Sequence, residues 1–449
     1  MTTGPEPLPP AVFDPKAAHM NRPKLRQVRA FPVNVQNQQA MGLSDAKQIS
    51  DKMIAVPMAF QVLLPLLDGT RTIDEIVTQV GRGLTRPILE GLVAQLDGAG
   101  LLFGPTFDAI VNKMKAAFDA SPILPPASTA QFTDAVAAQV LGEGFEQATG
   151  EERDRAAVEK TREIFDQWIS QALENADNPS FDDLPKAIVA PHLDYPRGWL
   201  NYASAYGRMR VVDPPDRIVI LGTNHFGEGT GVVGCDKGYQ TLFGTCELDQ
   251  ELASKLRAKL GDGLFACRYD HEREHSIELH IPWIQHVFGG RGTGTPKVFG
   301  ALIHDPVVNS GESYDGKGIG LDAFVAALRA SLAELGGTTL IVSSADLSHA
   351  GPAFGDQQPL AGESAEAEQA RNRVIQTDRE FMEFVRDNKP DELVASMAWQ
   401  QNPTRWCSVG NLVATLKTVL PAEVEILNYS GAMDQQGITF VTSAAMAMR

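Results

Sequence analysis

From residue 186 onward, short apolar runs rich in β-branched residues alternate with stretches of helical periodicity. Residues 186–190 (KAIVA), 217–221 (RIVIL) and 338–342 (TTLIV) read as short buried strands. Residues 321–335 repeat their apolar positions at helical spacing. Strands alternating with helices predict an α/β domain over residues 184–449. The N-terminal part is patterned differently. Residues 24–35 alternate weakly and predict short strands. Residues 55–67 (AVPMAFQVLLPLL) predict an apolar helix bent at Pro65. Asp68-Gly69 makes a turn, and Thr72-Ile73-Asp74-Glu75 is a capping box that opens a helix through Val80. Thr85, with Pro87 in the first turn, starts another helix through Leu96, followed by a short strand at 101–103. Short helices ending in a strand predict a small winged-helix-like α+β domain over 23–106. Residues 1–22 are proline-rich and aperiodic, and read as a disordered lead-in. Residues 107–183 are helical with one polar face and a proline break at 122–126, and read as a connector.

Composition narrows the function. A chain of 449 residues has room for about three folding units. With 43% hydrophobic and 21% charged residues it is ordinary globular protein. A formal net charge of −17 argues against nucleic-acid binding, which needs cations against phosphate. It also argues against anionic membranes. No run reaches the roughly 18 apolar residues of a transmembrane helix. The first residues have neither the basic nor the apolar region of a signal peptide. The four cysteines, Cys235, Cys246, Cys267 and Cys407, form no CxxC pair, which predicts reduced thiols and a cytoplasmic protein.

Candidate chemistry sits at the ends of the predicted strands. His192 follows the first run, His225 the second and His349 the third. In open α/β sheets ligands bind outside the carboxyl ends of the strands, so such turns can converge. Cys407 lies just before a helix predicted over 408–420, where the helix dipole stabilises a thiolate. Imidazole and thiolate are transition-metal ligands. The residues alone leave two readings open, a metal site or satisfied packing histidines. The segment His271-Glu272-Arg273-Glu274-His275 fits zinc-protease signatures. It reads as polar loop or first turn rather than one continuous helix face, because the apolar run starts only at Ile277 and Pro282 soon interrupts it. His271, His280 and His286 then read as surface or packing histidines.

The segments KAIVAPHLDY, RIVILGTNH, QTLFGTCELD, EHSIELHIPW, LIVSSADLSHAG, CSVGNLVATL and ILNYSGA resemble, in order, the Memo family. This family is the B component of the AmmeMemoRadiSam system and is related to class III extradiol dioxygenases. The resemblance implies a mixed central sheet flanked by helices. It implies one transition metal ion, iron first, with copper or zinc as alternatives. His192, His225 and Cys407 would be the ligands. His349 would be a fourth ligand or an acid/base, with His275 and Asp346 lining the same pocket. Glu278, a turn beyond His275, could orient it. The chain departs from the family pattern at Leu193-Asp194, Phe226, the inserted Ala345 and Ser408-Val409, all on the pocket rim. Asp194 and Arg197 are either new polar contacts or a surface pair.

The stretch DGTRTIDEIV…LEGLVAQLDGAGLL resembles the PqqD-like peptide-recognition domain, a small winged helix. That implies a peptide ligand, and by analogy a radical SAM protein partner. Three functions follow as expectations. The first is a non-haem iron oxidoreductase acting on a small molecule or modified peptide, and the second a non-catalytic metal-binding or adaptor protein. The third is a cysteine hydrolase using Cys407 with His349 and Asp346.

Overall fold

The computed structural model describes residues 12–35, 38–81, 83–292, 294–358 and 360–449. Two compact units form, one from residues up to 121 with 225–228, the other from 122–224 with 229–449. In the first unit the strands Val28–Val35, Gln38–Asp45 and Met53–Pro57 make an antiparallel sheet in that order. The helices Ile73–Val80, Arg86–Gly98 and Pro105–Asp119 follow. Leu43, Val56, Ile76, Leu89 and Leu96 fill the core between sheet and helices.

The capping box closes at Thr72: its hydroxyl accepts from Glu75 N at 3.2 Å, and its own N–H donates to Glu75 Oε2 at 2.7 Å. The apolar run 55–67 is not a helix. Its first residues belong to the strand Met53–Pro57, where Ile54 and Val56 alternate inward, and the rest forms two 3-10 turns. Pro57 and Pro65 are the reason, since each lacks the N–H an α-helix would need. The predicted strand at 101–103 is reduced to a single bridge, Leu25 to Leu102. Of the lead-in, residues 1–11 lie outside the described residues. Residues 12–22 are ordered by packing: Ala18–Asn21 is a helical turn whose Met20 enters the core.

The second unit is built on a mixed sheet of eight strands among the described residues. Its order is Asp346–Ala350, Phe440–Met448, Ala187–Ala190, Thr339–Ser344, Arg217–Thr223, Lys297–Ile303, Val233–Gly234, with Val424–Met433 paired to Phe440–Met448. The four strands from Ala187–Ala190 to Lys297–Ile303 are parallel. Their side chains are buried on both faces, as a parallel sheet requires. Val189, Val219 and Leu221 pack with the helices Leu321–Leu335 and Val409–Val419. Ile188, Ile218 and Ile220, alternate in sequence, point to the other face and are equally buried. This is the mixed α/β architecture predicted for the C-terminal domain.

The segment read as a connector contributes to this unit. Phe165, on the helix Gly150–Leu173, stacks on Trp283 with ring centroids 4.0 Å apart and planes 1° from parallel. No helix of the described residues is long and apolar enough to cross a membrane.

Candidate metal centre

The carboxyl ends of two parallel strands, Arg217–Thr223 and Thr339–Ser344, are tied together by small polar side chains. A Cβ on Gly222 would sit 2.6 Å from Ser276 Oγ, so glycine there lets Ser276 reach the strand end. Ser276 Oγ accepts from Thr223 N at 3.0 Å and donates to Thr223 O at 3.1 Å. Asn411, in the helix Val409–Val419, donates to Thr223 Oγ1 at 2.9 Å and to Ser344 O at 2.6 Å. The strands leading to His225 and Asp346, and the helix preceded by Cys407, are therefore held at one end of the sheet.

There His192, His225 and His275 each offer a ring nitrogen, all within 4.8 Å of one another. His192 is buried and the other two are partly buried. Nitrogens bound to one ion at about 2.0–2.1 Å would lie roughly 2.8–3.4 Å apart at octahedral to tetrahedral angles, inside that limit. Cys407 meets the cluster at His192, with Sγ 3.3 Å from Nε2.

Hydrogen bonding selects the tautomer of His192. The Ser344 hydroxyl donates to Ser276 O at 2.5 Å, so its oxygen accepts from His192 Nδ1–H at 3.0 Å. The lone pair is left on Nε2. That nitrogen faces the Cys407 sulfur and lies 3.5 Å from Asp346 Oδ2. The other carboxylate oxygen of Asp346 accepts from His192 N at 3.0 Å. A thiol and a carboxylate close to a nitrogen that carries its lone pair suit a cation, and the nitrogen–sulfur set suits a transition metal.

Sequence reasoning missed Glu274. It is buried, its Oε1 accepts from Ser276 N at 2.9 Å, and it lies 3.3 Å from His275 Nδ1. This carboxylate–imidazole pair orients His275, the role expected of Glu278. Glu278 turns the other way. It accepts from Ala127 N, Ser128 N and Thr129 N at 2.8–2.9 Å and from the Thr129 hydroxyl at 2.5 Å, capping the helix Ser128–Leu141. Glu278→Ala is expected to cost about 2–3 kcal/mol in urea denaturation, because it strands buried donors at a helix N-terminus.

His349 is not among the three grouped imidazoles. Its Nδ1–H donates to Leu347 O at 3.0 Å and Arg405 O at 3.2 Å. The imidazole beside the Cys407 thiol is His192. Asp194 and Arg197 pair with each other, Asp194 being the N-cap of the helix Tyr195–Tyr206. Ala345 is buried and donates its N–H to Ala190 O, and a bulge follows between Asp346 and His349.

The protease-like motif is broken by the backbone. His271 lies in a 3-10 turn ending at Glu272, and the next helix starts only at His275. His271 and His280 are packing residues. Burial pushes the pKa of His271 down to about 4 and that of His280 down to about 3, from an ordinary 6.5. The unfolded chain therefore binds more protons than the folded one below pH ~6.5. The urea midpoint is expected to be level above that pH and to fall steadily toward pH 4, as an equilibrium titration would record.

A family model of Memo-like protein matches residues 157–448. The chain belongs to the Memo-like family. It is 28% identical over 292 residues to a MEMO1 family protein of Methanopyrus kandleri, covering 63% of this chain and 90% of that protein. It is 36% identical over 133 residues to a MEMO1 family protein of Desulfurococcus amylolyticus, covering 28% of this chain and 46% of that protein. It is 30% identical over 168 residues to one of Methanococcoides burtonii, covering 37% of this chain and 56% of that protein. The Memo-like match begins within the helix Gly150–Leu173 and includes Phe165, consistent with that helix packing in the second unit. Residues up to 121 of the first compact unit precede the Memo-like match, and its residues 225–228 lie within it.

Proposed function

We propose that this Memo-like protein is a non-haem iron oxidoreductase whose metal is held by His192, His225 and Cys407, with His275 adjoining. The observation carrying this reading is the convergence of three imidazoles with a thiol 3.3 Å from the one whose tautomer Ser344 selects. A bound iron would supply open coordination positions for a substrate or dioxygen, and copper or zinc would suit the same donors. The residues around it have separable tasks. Ser344 directs the His192 lone pair, Glu274 orients His275, and Asp346 places a negative charge beside His192. His349, held through its Nδ1–H by two carbonyls, moves a proton at Nε2.

The substrate is a small molecule or a modified peptide. The resemblance of the N-terminal segment to a PqqD-like domain supports a peptide, presented beside a radical SAM protein partner. Four cysteines that form no disulfide among the described residues suit a reducing cytoplasm. A second reading rests on the Cys407–His192 contact: a thiol–imidazole pair is also the start of a cysteine nucleophile. A metal-binding protein without turnover shares the same site.

The test is metal content by mass spectrometry after anaerobic purification, wild type beside His192→Ala and Cys407→Ala. About one iron per chain, absent from both variants, supports the metal reading. Oxygen uptake then separates enzyme from adaptor. A wild type that takes no metal even after anaerobic iron loading overturns it and leaves the thiol nucleophile.

A further inference from the structure

On the helix Ala365–Arg386 a fully buried carboxylate, Asp378, gathers four elements. Its Oδ1 accepts from Ser348 Oγ at 2.5 Å and from Trp406 Nε1 at 2.6 Å. Its Oδ2 accepts from Tyr429 OH at 2.6 Å and Thr442 Oγ1 at 2.5 Å. All four donors are uncharged. Two donors on each oxygen use the whole acceptor capacity of a carboxylate, so a proton on Asp378 would displace one of them. Burial alone favours the neutral acid, and the four hydrogen bonds oppose it.

The positions of the donors carry the argument. Ser348 lies between Asp346 and His349, and Trp406 directly precedes Cys407. The loop before Cys407 is under backbone strain. Gln401, Asn402 and Arg405 have φ of 57°, 46° and 60°, in the left-handed region that glycine favours. A loop of this kind persists only where its surroundings hold it. The Asn402 side chain donates to Trp406 O at 2.9 Å and accepts from Trp406 N at 2.8 Å, and the indole N–H ends on Asp378. The same loop presents Thr404 O to His349 N at 2.7 Å and Arg405 O to the His349 ring. Anchoring Trp406 therefore sets the sulfur of Cys407 and the tautomer of His349 together. An apolar residue at 378 would fill space without directing any of these hydrogen bonds, and a buried anion is costly unless fully hydrogen-bonded.

We propose that Asp378 is a positioning residue for the candidate centre, acting through Trp406 on Cys407 and through Ser348 on His349. This rests on the reading of Cys407 and His349 as members of that centre.

The test uses the full chain with Asp378→Asn and Trp406→Phe beside wild type. Cooperative thermal unfolding above the assay temperature establishes that each variant is folded. In the metal-free protein the iodoacetamide alkylation rate of Cys407 is followed by peptide mass spectrometry, with Cys267 as internal reference. The Cys407 rate relative to Cys267 is expected to change about tenfold in both variants, and a change under about twofold in both overturns the proposal. If Asp378→Asn does not fold, Trp406→Phe decides by the same criterion. Loading with cobalt(II) adds a spectroscopic reading. The thiolate-to-cobalt absorption band of the wild type is expected to shift or disappear in both variants, and an unchanged band counts against the proposal. A wild type that binds no cobalt counts against the metal reading instead, and the alkylation rates then decide the role of Asp378.

Discussion

Ser344→Ala is expected to weaken metal binding about 10- to 100-fold, although Ser344 is not itself a proposed ligand. The reason is the direction of two hydrogen bonds. The hydroxyl gives its proton to Ser276 O and must therefore accept from His192 Nδ1. Alanine removes the acceptor and frees the ring to flip or change tautomer. The fraction of His192 presenting its Nε2 lone pair then drops. Ser344→Thr keeps the hydroxyl and should recover part of the loss, if the extra methyl fits. His192→Ala is expected to remove binding altogether. A chelator-competition titration with iron(II) under anaerobic conditions, or with zinc, measures all three. An affinity within about threefold of wild type for Ser344→Ala would show that the tautomer of His192 does not control the site.

Phe165→Ala is expected to destabilise the second unit by about 3–5 kcal/mol, the cost of deleting a large buried aromatic side chain. Its ring is fully buried, stacked on Trp283, with Tyr195 edge-on at 5.4 Å. Tyr195 begins the helix that follows His192, and its hydroxyl donates to Leu279 O at 2.7 Å, close in sequence to His275 and Glu278. The cavity left by alanine would thus open beside the segments that carry two of the three clustered histidines. Urea denaturation read by tryptophan fluorescence, with Trp168 and Trp283 as reporters, measures the loss. A change below about 1 kcal/mol would mean that the helix Gly150–Leu173 is a loosely attached connector after all.

Local sequence was a good guide wherever local physics decides. The three β-branched runs became neighbouring parallel strands, since a strand buried on both faces reads as an uninterrupted apolar run. The capping box at Thr72 closed because its partners are three residues apart. The run 55–67 failed for a related reason. Apolar content alone does not separate a strand from a helix, and the prolines at 57 and 65 outweighed it. The helix Gly150–Leu173 looked like a connector because its surface is largely charged. Its single buried stripe, from Ala157 through Phe165 to Leu173, has meaning only against a partner.

The candidate site divides in the same way. Strand-end position brought out His192 and His225, and helix-start position brought out Cys407, because those placements depend on neighbours in the chain. The grouping of His275 with His192 and His225 depends on the distance between strand ends more than thirty residues apart, as do the turn of Glu278 toward a distant helix and the substitution of Glu274 in its place. So do the tautomer of His192, set by Ser344, and the fourfold anchoring of Asp378. The sequence by itself determined the strands and helices of the parallel sheet and the donor types. Only the tertiary structure decided which donors share one volume and which hydrogen each of them carries, because hydrogen bonds between remote segments have direction, and direction exists only once the segments have packed.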